Sequence, residues 1–173
     1  MEKLIEKAKD GDKEAFTNII LSIEDELYKV AKVRLKNDDD VYDAIQETII
    51  TAFKSIRKLK QIQYFKTWII RILINQSNSI YRNKKKEVIS FEEIKNNKVT
   101  DFSAIENSEM ILDFNFICNK LKYEDRMIII LYYMEKFTDK EIGKILSLKE
   151  NTVKTKRTRA KQKIRDIIEG GRK

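Results

Sequence analysis

Thr138-Asp139-Lys140-Glu141-Ile142-Gly143-Lys144-Ile145-Leu146-Ser147-Leu148-Lys149-Glu150-Asn151-Thr152-Val153-Lys154-Thr155-Lys156-Arg157-Thr158-Arg159-Ala160 is the stretch that decides the fold. Thr138 with Glu141 is a capping box, in which each side chain satisfies a backbone N–H beside the other. Ile142, Ile145 and Leu146 then give a short helix one apolar face. Ser147-Leu148-Lys149 reads as a tight turn. A second helix starts at Glu150, and on it Val153, Ala160 and Ile164 share a face that should pack inward. Asn151, Thr152, Lys154, Thr155 and Thr158 are left for the other side. They are hydrogen-bonding and cationic groups suited to base edges and phosphates in a major groove. A short helix, a three-residue turn and a basic second helix predict a helix-turn-helix; a plain helical hairpin is the alternative.

Just upstream, Met127-Ile128-Ile129-Ile130-Leu131-Tyr132-Tyr133-Met134 is apolar on every side and predicts a central buried helix. Helical spacing also marks Met110, Leu112, Phe116, Ile117 and Leu121. From Glu87 to about Ser108 the periodicity fades into Asn, Ser, Glu and Lys. A structureless loop of that length is unusual inside one compact domain, so it reads as a tether between two. It is acidic: Glu87, Glu92, Glu93, Asp101 and Glu106 face only Lys95 and Lys98.

The N-terminal half is helical by the same spacing. Phe16, Ile19, Ile20, Ile23, Leu27, Val30 and Leu35 form a stripe, begun by a turn and N-cap at Gly11-Asp12 and closed by Asn37-Asp38-Asp39-Asp40. Asp40 is the expected cap of the next helix, which carries Val41, Ile45, Ile49, Ala52 and Ile56. The pattern breaks near Lys60-Gln61-Ile62-Gln63. A further helix carries Phe65, Trp68, Ile69, Ile72, Leu73 and Ile80 into Arg82-Asn83-Lys84-Lys85-Lys86. No Asp or Glu occurs from Thr48 through Lys86, whereas Lys54, Arg57, Lys58, Lys60, Lys66, Arg71 and Arg82 do, interleaved with Phe53, Tyr64, Phe65, Trp68 and Tyr81. Cations hold phosphates, and flat rings stack on unpaired bases. The combination predicts a surface for single-stranded or melting nucleic acid; the bland alternative is a solvated basic face over core aromatics.

Composition narrows the function classes. The 173 residues carry a net charge of +8, as nucleic-acid or anionic-membrane binders often do. Histidine is absent, which removes Ser-His-Asp and Cys-His catalysis and every histidine metal site. The single cysteine, Cys118, cannot form a disulfide within the chain and reads as a small buried side chain. No apolar run is long enough to span a bilayer, and the charged Met1–Lys7 segment is not a signal peptide, so a cytoplasmic location is expected. Proline is absent and there are only four glycines, which favours long helices.

Asp40-x-x-Asp43-x-x-Gln46-Glu47-Thr48, followed by Phe65-Lys66-Thr67-Trp68-Ile69-x-Arg71-Ile72-x-x-Asn75, resembles conserved region 2 of extracytoplasmic-function (ECF) sigma factors of the sigma-70 family. Arg126, Glu141-Ile142, Thr152-Val153-Lys154 and Arg159-Ala160 resemble region 4. The resemblance implies an all-α chain of two small helical domains, residues 1–86 and 109–173, joined by a flexible acidic linker at 87–108. It implies that Asp43, Gln46 and Glu47 dock on the clamp coiled coil of core RNA polymerase. Phe65, Thr67, Trp68 and Asn75 would help capture a melted −10 element of promoter DNA, with Lys66, Arg71 and Arg82 on its phosphates. Asn151, Thr152, Lys154, Thr155, Thr158 and Arg159 would serve the −35 duplex. The linker would pass through the polymerase near the template strand. An anti-sigma factor, often membrane-bound, would hold the protein inactive, at the inner face of the membrane where it is anchored there. No cofactor, small-molecule substrate or catalysis is implied. The chain departs from the family at Lys122 (usually proline), Ser147 (usually glycine), Lys149 (usually serine) and Arg157 (commonly apolar).

Three other functions compete on the sequence. A dimeric helix-turn-helix regulator acting without polymerase would explain Phe137–Ile164 but leave Asp43–Asn75 idle. A nuclease could hold a metal on Asp38, Asp39, Asp40 and Glu47, although acids at a helix start also serve its dipole. A helical adaptor would bind no DNA at physiological salt.

Overall fold

The computed structural model describes residues 1–91 and 120–170, which are helical with short connections. Cys118, most of the acidic 87–108 segment and the helical signal from Met110 to Ile117 lie outside the described residues. The chain divides into two compact units, Met1–Ile94 and Lys95–Lys173.

The first unit begins with α1 (Glu2–Asp10), which buries Ile5 and Ala8. Nothing in the sequence reading marked this helix, because charge dominates its composition. It ends at Gly11, whose φ of 106° is left-handed and suits a residue without Cβ. Asp12 caps α2 (Lys13–Leu21) as expected, its carboxylate accepting from the Ala15 N–H at 3.0 Å. The expected single stripe from Phe16 to Leu35 is in fact two helices. The chain breaks at Ser22-Ile23, where the Ser22 hydroxyl donates to the Ile19 carbonyl at 2.7 Å, and α3 (Glu24–Lys32) continues the apolar face. A serine hydroxyl that competes for helix carbonyls ends a helix that the apolar spacing alone would carry through.

The long helix α4 (Asp38–Ser55) is capped by Asn37, not Asp40: the Asn37 side chain accepts from the Asp39 N–H at 3.0 Å. Asp40 falls inside the first turn, where its charge meets the positive end of the dipole. Two 3-10 turns, Ile56–Lys58 and Ile62–Tyr64, fill the predicted break. Helix α5 (Phe65–Phe91) then packs along α4, with α3 against both. It runs on past Lys86, since Lys and Glu propagate a helix once it is nucleated. Ile69, Ile70, Leu73, Val41, Ala44 and Leu27 form the centre of this unit, each 0 or 1% exposed.

In the second unit α6 (Tyr123–Ile129) passes into a π-helical turn, Ile130–Met134, closed by the Glu135 N–H donating to the Ile130 carbonyl at 3.1 Å. Met127 to Leu131 are buried all round, but the run predicted as buried to Met134 is not: Tyr132 and Met134 are half-buried and Tyr133 is exposed in the π-helical turn, as an amphipathic ring can be. Helices α7 (Asp139–Leu146) and α8 (Glu150–Gly170) follow, and α8 packs on both α6 and α7. Among the described residues no helix is long and apolar enough to cross a membrane.

Candidate nucleic-acid interface

The helix-turn-helix is built as its sequence predicts. The Glu141 N–H donates to Thr138 Oγ1 at 3.3 Å and the Thr138 N–H to Glu141 Oε2 at 2.9 Å, completing the capping box. In the turn, Ser147 takes the left-handed conformation usual for glycine, with φ 58°. The turn closes on Gly143, whose carbonyl accepts from the Leu148 N–H at 2.9 Å. A Cβ on Gly143 would stand 2.7 Å from the Leu148 carbonyl oxygen, so glycine is what lets the turn lie against α7. Lys149 gives no side-chain cap; its carbonyl accepts from the N–H groups of Thr152 and Val153 at 2.9 and 3.1 Å.

Helix α8 sorts its residues by face. Val153 and Ala160 are 0% exposed, and Ile164 packs against Leu121, Ile129 and Ala160. Flanking this apolar strip, three cations are paired with acids of α6 and α7: Lys156 with Glu124 at 2.7 Å, Lys163 with Asp125 at 3.3 Å and Arg157 with Asp139 at 2.9 Å. The Glu124 hydrogen bond raises the Lys156 ammonium above its ordinary range. The Asp139 bond likewise raises Arg157. Asn151, Lys154, Thr155, Thr158 and Arg159 are exposed and Thr152 is half-buried. Lys154 and Arg159 have no acidic partner among the described residues. Thr155 and Thr158 donate their hydroxyls to the carbonyls of Asn151 and Lys154 at 2.9 and 3.0 Å. What they offer a base is therefore an acceptor oxygen and a methyl group, not a donor.

In the first unit the suspected −10 residues separate into two groups. Trp68, Arg71, Asn75 and Arg82 stand three, four and seven residues apart and so follow one face of α5, where Arg71, Asn75 and Arg82 are exposed and Trp68 half-buried. Lys66 is exposed, but its ammonium is 2.6 Å from Glu26. Such a surface pair is worth little and can yield to phosphate. Phe65 and Thr67 are 1% and 6% exposed. As placed here Phe65 cannot stack on a base; its ring sits 5.8 Å from that of Trp68 and sets it in position. Sequence spacing could not separate Phe65 from Trp68, since both are aromatic and stand within one turn. Arg34, on another part of the unit, lies 3.6 Å over the Tyr81 ring near the end of the stripe, a long-range contact that no local spacing encodes.

Asp43, Gln46 and Glu47 are all exposed on α4, with Tyr42, Ile50 and Phe53 exposed beside them. An acidic face with exposed apolar residues has the chemistry to meet a basic, partly apolar partner. Its N-terminal end is tied down. The buried Lys32 ammonium donates to Asp38 at 2.8 Å and to the Lys36 carbonyl at 3.0 Å, Tyr28 donates to Asp38 at 2.8 Å, and Lys84 pairs with Asp40 at 2.5 Å. The bonds from Lys32 and then Tyr28 hold the Asp38 carboxyl below its ordinary range. Burial, followed by the Asp38 bond, pushes the Tyr28 phenol up to about 12.

Comparison with known proteins agrees with this geometry. Family models for Sigma-70 region 2 and Sigma-70, region 4 match residues 19–87 and 117–164. Over 177 residues the chain is 30% identical to the ECF RNA polymerase sigma factor SigW of Bacillus subtilis (strain 168), covering 95% of each. It is 28% identical over 156 residues to the RNA polymerase sigma factor SigV of the same organism, covering 89% of this chain and 91% of that one. Two solved structures share the fold. CnrH in complex with the cytosolic domain of CnrY matches with a TM-score of 0.71 at 19% identity, covering 98% of this chain and 97% of that one. The sigma factor RpoE in complex with the anti-sigma factor NepR from Bartonella quintana matches with a TM-score of 0.76 at 23% identity, covering 89% and 96%.

Proposed function

Because the chain belongs to the ECF RNA polymerase sigma factors of the sigma-70 family, we propose that it directs promoter-specific initiation with its surfaces dividing the work as follows. Residues 1–86 bind core polymerase through Asp43, Gln46 and Glu47 on α4. They capture the melted −10 element on α5, with Trp68 stacking, Asn75 hydrogen-bonding, and Lys66, Arg71 and Arg82 on phosphates. Phe65 supports Trp68 by packing against its ring, and Thr67 is buried in the same helix. Residues 87–108 are the linker. Residues 109–173 read the −35 duplex through Asn151, Thr152, Lys154, Thr155, Thr158 and Arg159. An anti-sigma factor restrains the protein in the cytoplasm, and the chain itself catalyses nothing.

The observation that carries this reading is the sorting of charge on α8. Lys156, Arg157 and Lys163 are matched to acids on α6 and α7, so the unmatched Lys154 and Arg159 are left for an external polyanion, and phosphate contacts position a reading helix. Capture of an extruded base by Trp68 offsets part of the few kcal/mol that unstacking costs, roughly 1–3 kcal/mol per stacked base. A regulator acting without polymerase would leave the acidic face of α4 unemployed. Two of the four acids a metal-dependent nuclease would recruit are engaged elsewhere, Asp38 with Lys32 and Tyr28, and Asp40 with Lys84.

The test is capture of core RNA polymerase by the purified chain, followed by run-off transcription from fragments of its own genome. Stable capture with initiation from a discrete start is the expected result. DNA binding without capture would replace this reading with that of a free-standing regulator.

A further inference from the structure

The helix-turn-helix contains an ionic device that the proposed DNA contacts do not use. Arg157 stands on α8 where the family commonly has an apolar residue. Its Nε and Nη2 donate to the two carboxylate oxygens of Asp139, each at 2.9 Å. Its guanidinium lies 3.9 Å over the Tyr132 ring. Both side chains of the pair are only 17% exposed. Asp139 is the first residue of α7, next to the capping box, and Tyr132 belongs to the π-helical turn. One side chain on the reading helix is thereby bound to both elements that support it.

An apolar contact at this place would be non-directional. A two-bond fork onto a carboxylate fixes distance and rotation together, and stacking on a ring fixes the plane. We propose that Arg157 is a positioning residue for promoter recognition: forked onto Asp139 and stacked on Tyr132, it sets the rotation and tilt with which α8 presents Asn151, Lys154, Thr155 and Thr158 to the groove. This rests on the reading of α8 as the −35 helix. The contact is made away from DNA, so it governs which sequence is preferred and leaves the count of neutralised phosphates alone.

The test uses the full chain bound to core polymerase and two duplex probes, a promoter fragment recovered by run-off transcription and the same fragment with its −35 element scrambled. If the unaltered protein binds both probes alike, the −35 reading itself has failed and the role of Arg157 falls with it. With that preference present, Arg157→Lys and Asp139→Asn are each expected to cut it by about tenfold, the scale of one lost base-pair contact, with the salt dependence unchanged. The double variant is expected to lose no more than either single one, because both break one interaction. A direct phosphate contact by Arg157 predicts the opposite for Asp139→Asn: the freed guanidinium tightens binding to both probes. That result, additive losses, or an unchanged preference would overturn the proposal. Where a single variant melts below the assay temperature, Asp139→Leu with Arg157→Leu restores an apolar contact without the fork. A folded double-leucine protein that has lost the preference supports the role, and one that keeps it in full overturns it.

Discussion

Gly143 shows how much one hydrogen atom can carry. With 2.7 Å between a would-be Cβ and the Leu148 carbonyl, Gly143→Ala must push the turn off α7. Overpacking of this kind costs about 1–3 kcal/mol, so thermal unfolding of the second unit should shift down while the first unit melts unchanged. Lys154 is exposed and unmatched, and Lys154→Ala should weaken −35 binding across sequences. It should also reduce the slope of log affinity against log salt by about 0.9, the release of one counterion. An unchanged slope would remove Lys154 from the phosphates. Trp68→Ala should lower open-complex formation by about tenfold or more while closed-complex binding holds, since stacking on a base is made only after melting. Equal loss in both steps, together with a drop in melting temperature, would mark the ring as core. Phe65 and Trp68 also mark where sequence stops informing. A pattern of aromatics and cations gives the chemistry of a surface. Which ring faces out is decided by the packing of α5 on α4, which no local spacing records.

Helix starts were legible where the cap is a side chain with a fixed partner offset. Thr138 with Glu141 and Asp12 with Ala15 N–H fall where the pattern puts them. The start of α4 was not, because Asn37, Asp38, Asp39 and Asp40 are all competent caps and tertiary partners choose among them. Lys32 and Tyr28 claim Asp38, Lys84 claims Asp40, and Asn37 caps by accepting from the Asp39 N–H. This arrangement makes a pH prediction. The folded state holds the Asp38 carboxyl below its ordinary range, so the unfolded chain binds the proton first as pH falls. The contribution is fully present above the ordinary aspartate value, about 4, and is lost as pH falls through the depressed value. Denaturant midpoints of the first unit should therefore decline on acidification, and Asp38→Asn should flatten that decline while lowering the midpoint at neutral pH. A decline of equal steepness in Asp38→Asn would assign the acid sensitivity elsewhere. Helix α1 and the break at Ser22-Ile23 went unread for a related reason: a charged surface helix gives little periodic signal, and one hydroxyl outweighs a continuous apolar stripe.

At the scale of the whole chain, the division of labour proposed above gives the two units separable tasks. Replacing Asp43, Gln46 and Glu47 together by alanine should abolish capture of core polymerase. Their side chains are exposed, so the melting temperature should stay within about 1–2 °C, a shift that surface changes of a few tenths of a kcal/mol produce. Specific duplex binding through α8 should persist in the same protein; if capture survives, the docking face lies elsewhere. The net charge of +8 remains although Lys32, Lys156, Arg157 and Lys163 are each matched to an acid. Away from its polymerase such a chain is a folded polycation in a cell crowded with RNA. Transcripts and bulk chromosome compete for it as ion exchangers would, so the amount free to find polymerase is governed by how much polyanion surrounds it as well as by how much protein is made.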